Sequence, residues 1–160
     1  MNLAARLHGR VTVLGVGNPM RGDDGVGCRI ARDLREASRH GVLAARDGLT
    51  IVDAEDVPEN YVGVVVAARP DVVLLIDAAD FGGAPGASTL VEAAELPTLR
   101  AMTHRTALGI TATVIRQRTG AEVLLLAVQP AALAWGAPLS PSIASAADSV
   151  STLLQEALSC

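Results

Sequence analysis

Short apolar runs alternate with amphipathic stretches of helical length along this chain. Val11–Val16, Val72–Ile76 and Glu122–Val128 are almost unbroken in apolar residues, the pattern of strands covered on both faces. Thr50–Val52 reads as a further short strand. Asp24–Ser38, Pro58–Ala68, Thr106–Arg118 and Pro141–Leu158 place apolar residues at helical spacing. Ser88–Glu92 alternates in character after the turn Gly82-Gly83-Ala84-Pro85-Gly86, and so reads as an edge or antiparallel strand. Strands that alternate with helices need crossover connections and give a mostly parallel sheet. The expected fold is α/β, a three-layer α/β/α sandwich. Its twisted, mainly parallel five-stranded sheet carries helices on both faces, in a single domain over residues 1–160.

Composition narrows the function classes. The aromatic residues are only Phe81, Trp135 and Tyr61, so Ala, Val and Leu must fill the interior, and every basic residue is Arg. A net charge of −4 with no basic run gives no nucleic-acid footprint. The longest apolar runs are strand-sized, far below the roughly 20 residues of a membrane span, so no membrane partner is expected. Cys28 and Cys160 make neither a disulfide framework nor a metal spacing, and the apolar run Val11–Val16 is too short to read as a signal-peptide core. A cytoplasmic setting is expected.

The chemistry concentrates in Val11–Gly27, VTVLGVGNPMRGDDGVG, where a strand runs into a glycine-rich turn and two adjacent acids open a helix. Gly25 and Gly27 cost about 1 kcal/mol each inside a helix and suit places where backbone approaches something closely. Asp23 can cap the helix, and carboxylates in a first turn gain from its dipole. Asp24 is then the acid left to face a cleft. Asp77 ends the strand Val72–Ile76 at the same sheet edge, either as a cap of the following turn or as a functional carboxylate. Asp53-Ala54-Glu55-Asp56 adds acids there, and His104 just precedes a helix. Asp24, Asp77 and His104 together offer two oxygens and an imidazole, a mixed donor set that suits zinc or nickel. A dinucleotide fingerprint starts at Gly15-Val16-Gly17 but fails at Met20, where the third glycine belongs. No nucleophile elbow and no H-E-x-x-H motif occur.

With these residues in view, GVGNPMRGDDGVG resembles the opening of the hydrogenase maturation endopeptidases, which trim the C-terminal extension from the large-subunit precursor of nickel–iron hydrogenases. The resemblance extends through Leu75-Ile76-Asp77-Ala78 and Thr103-His104. Ala54-Glu55-Asp56-Val57-Pro58-Glu59-Asn60 and Ala127-Val128-Gln129-Pro130 are similar to the branch that serves the formate hydrogenlyase hydrogenase. The resemblance implies that Asp24, Asp77 and His104 are the metal ligands. Catalysis by Asp24 and Asp77 is then expected, with Asp23 as a candidate helper and contact with the substrate at Gly17, Asn18 and Gly25. Nickel would arrive on the precursor, and zinc or cadmium could occupy the same site in vitro. A monomer acting on the hydrogenase large-subunit precursor is expected. The alternatives are a peptidase with its own zinc, a non-catalytic nickel-dependent chaperone for the precursor, and a nucleotide-binding module.

Overall fold

A computed structural model describes residues 2–43, 46–98 and 105–160. Its elements in chain order are α1 (Leu3–Arg6), β1 (Val11–Val16), α2 (Val26–Arg39), β2 (Leu49–Glu55), α3 (Val62–Ala68), β3 (Val72–Ala78), β4 (Ser88–Glu92), α4 (Arg105–Thr119), β5 (Glu122–Val128) and α5 (Pro141–Leu158). Short 3-10 helices occupy Gly22–Gly25, Pro58–Tyr61 and Ala93–Thr98. The sheet order is β2-β1-β3-β5-β4. All pairings are parallel except β4 against β5, so Ser88–Glu92 is the antiparallel edge strand that its alternation suggests.

Strand periodicity divides the interior into two layers. On β3, Val72, Leu74 and Ile76 join one core with α1, α2 and α5, whereas Val73 and Leu75 join a second with α3 and α4. With both faces covered, β1, β3 and nearly all of β5 are buried along their lengths. Burial of this kind stabilises by about 25 cal/mol for each Å² of apolar surface removed from water.

Chain order in the sheet reverses between β1 and β3, because the chain leaves β1 for β2 on one side and returns to β3 on the other. In open α/β sheets the crevice outside the carboxyl ends of strands at such a reversal is where ligands bind. Two glycines let α2 lie close above that point. A Cβ on Gly27 would stand 2.1 Å from the Ile76 carbonyl oxygen and 2.4 Å from that of Val16. One on Gly15 would stand 2.3 Å from the Gly27 carbonyl oxygen. The close approach expected of Gly27 is therefore to the two central strands themselves.

The helix expected from Asp24 begins instead at Val26, because Gly22–Gly25 first makes a tighter 3-10 turn. Pro58–Ala68 likewise divides into a 3-10 turn and a shorter α-helix. β2 is longer than the expected Thr50–Val52 and bulges at its end, where the register slips between Gly15 and Val16 of β1. Glu55 adopts a positive φ of 50° there, and its carbonyl accepts a hydrogen bond from Gly17 N at 2.8 Å. A non-glycine residue in that region stores about 1–3 kcal/mol of strain, and such strain clusters at ligand-binding edges.

Candidate active site

The reversal between β1 and β3 places Asp24 and Asp77 at the same carboxyl edge of the sheet. Asp24 lies in the turn that leaves β1, and Asp77 is the penultimate residue of β3. Both are fully buried. Asn18 N donates to Asp24 Oδ2 at 3.0 Å, and Ala78 N donates to Asp77 Oδ1 at 2.8 Å. These main-chain donors fix the direction of each carboxylate. Gly17 closes the turn from below, since a Cβ there would lie 1.8 Å from the Asp24 carbonyl oxygen, at a φ of +146°. A side chain at this position would push Asp24 out of place.

Asp23 has a different task from the one its neighbourhood suggests. No side chain caps either the 3-10 turn or α2, so the expectation of Asp23 as helix cap is corrected. Its fully buried carboxylate reaches across to the segment between β5 and α5. Oδ2 accepts from Ala131 N at 2.9 Å, Ala132 N at 2.8 Å and Ser140 Oγ at 2.9 Å, and Oδ1 accepts from Ser140 N at 2.6 Å. Four donors around one buried carboxylate hold the charge and fasten the segment. Asp23 N also donates to the Ala132 carbonyl at 3.0 Å. Sequence reasoning missed this partner because it lies 117 positions away at Ser140. The only local signal is the pair of prolines, Pro130 and Pro141, that bracket a stretch without helical spacing.

The remaining polar groups near the crevice are tied to the fold. Asp53 Oδ2 accepts from Arg32 Nε at 2.7 Å, and that bond raises the Arg32 pKa further. Cys28 Sγ donates to the Gly17 carbonyl at 3.3 Å. Burial, together with the nearby Asp53 and Asp77 carboxylates, pushes the Cys28 thiol far above its ordinary range, so it holds no thiolate for nucleophilic attack. The buried Gln129 side chain accepts from Phe81 N at 3.0 Å and Gly83 N at 3.1 Å, anchoring the loop after β3. Gly25 is crowded by Pro19, whose Cα would lie 2.9 Å from an added Cβ.

His104 lies outside the described residues. Asp77 continues the alternation of Val73 and Leu75 on the face covered by α3 and α4, and α4 begins at Arg105. Among the described residues, no three His, Cys, Asp or Glu side chains gather to hold a metal ion. The chemistry of Asp24 and Asp77, two hard carboxylate oxygen donors, is compatible with part of a divalent coordination sphere. No helix among the described residues is long and apolar enough to cross a membrane.

Comparison with known proteins agrees over most of the chain. A family model described as HycI, hydrogenase maturation protease, matches residues 28–159, starting just past the turn that carries Asp23 and Asp24. The crystal structure of a nickel–iron hydrogenase maturation protease HycI from Thermococcus kodakarensis KOD1 superposes with a TM-score of 0.86 at 31% identity, covering 99% of each chain. The solution structure of the endopeptidase HycI from Escherichia coli gives 0.77 at 27% identity, over 92% of this chain and 90% of that one. The hydrogenase 3 maturation protease of Escherichia coli K12 is 28% identical over 139 residues, which is 86% of this chain and 84% of that protein.

Proposed function

Because this chain belongs to the HycI-type family of hydrogenase maturation proteases, we propose that it removes the C-terminal extension from the large-subunit precursor of a nickel–iron hydrogenase, using Asp24, Asp77 and His104 to engage nickel already carried by that precursor. The observation that carries the reading is the pair of buried, main-chain-oriented carboxylates at the carboxyl edge where the chain order reverses between β1 and β3. Two carboxylates at one sheet edge suit a divalent cation, and His104 adds the imidazole that the resemblance assigns.

In this reading the enzyme holds an incomplete donor set that the substrate completes. Nickel is part of the substrate, bound by the precursor before the two proteins meet. Docking onto it sets the scissile peptide against Asp24 and Asp77, and positioning of that kind lowers a barrier by several kcal/mol. Hydrolysis then adds hydroxide from water to the peptide carbonyl carbon, breaks the C–N bond and delivers a proton to the departing amine. A carboxylate beside the water carries that proton. Asn18 contributes by orienting Asp24, and Gly17 and Gly25 by keeping the turn tight enough for the peptide to reach it. Asp23, with both oxygens already engaged, serves as a positioning residue. A cytoplasmic setting accords with two free cysteines, Cys28 and Cys160.

The test is mass spectrometry of a cognate nickel-loaded precursor incubated with the wild-type protein, Asp24→Asn or Asp77→Asn. Wild type should release one C-terminal peptide. Each variant should cleave about 100-fold more slowly or worse, while still co-eluting with the precursor. Cleavage by both variants at the wild-type rate would overturn the assignment, and absence of wild-type cleavage would leave only the scaffolding role.

A further inference from the structure

The loop fastened by Asp23 displays apolar side chains that the fold does not use. Trp135 is 70% exposed and Met20 66%, with Leu133 beside them at 36%. The other large exposed apolar residues, Val42, Val64, Ile110 and Leu153, are scattered singly over separate elements, as on any protein surface. These three instead sit on two loops joined into one unit. Gly136 N donates to the Met20 carbonyl at 2.7 Å, Asp23 N to the Ala132 carbonyl at 3.0 Å, and Ala137 N to Ala134 across the turn that presents Trp135. A Cβ on Gly22 would stand 2.9 Å from the Ala132 carbonyl oxygen, so the two backbones are in contact. The Arg21 guanidinium lies 5.7 Å from the Trp135 ring centroid and holds the indole by a cation–π contact.

We infer that Met20, Leu133 and Trp135 form a rigid docking platform for an apolar segment of the hydrogenase large-subunit precursor next to its C-terminal extension; the inference rests on the proposed endopeptidase function. Continuity with the active site identifies the occupant. Met20 is two residues from Asn18, whose N–H orients Asp24, and the Trp135 loop is tied through Asp23 to the same turn. A shallow groove of about 350 Å³ beside this unit is lined by Pro19, Gly25, Pro138 and Leu139 together with the α2 arginines Arg29 and Arg32. Met20 and Trp135 therefore stand on the two loops fastened to the turn that carries Asp24. Preorganised aromatic anchors give binding energy at little entropic cost, and Trp is among the residues enriched at binding hot spots. Asp23 thereby couples docking to catalysis, since one carboxylate fixes the position of the platform relative to Asp24.

Trp135 is the sole tryptophan, so it reports on its own environment. The experiment labels it with 5-fluorotryptophan in the Asp24→Asn background and follows the 19F resonance as nickel-loaded precursor is added. Cleavage kinetics of Trp135→Ser and Met20→Ser in the otherwise wild-type protein run alongside. The expected result is a shifted resonance and, for Trp135→Ser, a KM raised by about tenfold or more at nearly constant kcat. An unmoved resonance while the precursor co-elutes, or an unchanged KM in both variants, overturns the platform and leaves the endopeptidase function standing. A resonance that moves with protein concentration alone assigns the patch to a second copy of this chain and also overturns it. If wild type cleaves no precursor, the underlying function fails, and the platform with it.

Discussion

Replacing Asp23 with Ala separates an architectural acid from a catalytic one. The carboxylate accepts from three main-chain N–H groups and one hydroxyl at 2.6–2.9 Å. Hydrogen bonds to a charged group contribute roughly 1.5–3 kcal/mol each, so simple addition would give about 6–12. That sum is an upper bound, because Ala131 and Ala132 are exposed and their N–H groups regain water once the loop detaches. The net loss should fall near 3–5 kcal/mol, at the severe end for a single substitution. Guanidinium unfolding followed by far-UV circular dichroism measures the global loss. Fluorescence of Trp135, which rides on the same loop, reports local detachment. Asp23→Ala should lower the global midpoint, and its tryptophan signal should change at lower denaturant than the helical signal. Ser140→Ala, which removes only the hydroxyl donor, should cost about 1 kcal/mol. An Asp23→Ala protein within about 1 kcal/mol of wild type, with the two signals coincident, would refute the clamp.

Gly27→Ala should cost about 3 kcal/mol or more or prevent folding, because its Cβ would collide with the backbone carbonyls of Ile76 and Val16. Gly63→Ala, with open space around the new methyl, should instead stabilise α3 by up to about 1 kcal/mol; thermal unfolding of the pair checks both signs. Iodoacetamide at pH 8 should modify the exposed Cys160 and spare Cys28, whose raised pKa and burial keep it protonated. Intact-mass analysis should show one adduct on the native protein and two after denaturation, and rapid double labelling of the native state would contradict the placement of Cys28. Arg32→Ala should change stability by less than about 1 kcal/mol, because its pair with Asp53 is half exposed on the arginine side.

The central strands were legible because their physics is local. Val11–Val16 and Glu122–Val128 begin and end where the apolar runs do, and Ser88–Glu92 declared its edge position by alternating. β2 was seen only in part. It is a half-buried edge strand whose Asp53 and Glu55 lie beyond its apolar stretch, so burial did not mark its end. α1 and the turn at Ala93–Thr98 are too short to carry a period. The placement of Asp24 and Asp77 was legible because acids at one carboxyl edge follow from the chain order of a parallel sheet. The work of Asp23 was not, since a local pattern of acid before helix is equally compatible with a cap and with a clamp. Only the return of the chain to Ala131 and Ser140 decides between them. The same long-range contact explains why Trp135 carried no signal in the sequence.

The most direct test of the account compares one precursor in two metal states. A cognate hydrogenase large-subunit precursor, nickel-loaded or nickel-free, is incubated with the wild-type protein and analysed by intact mass. Release of a single C-terminal peptide from the loaded form alone is the expected result of the proposed role of Asp24, Asp77 and His104 in engaging a metal that the substrate brings. Equal release from both forms would contradict it, since the carboxylates would then be cutting without the nickel they are proposed to read.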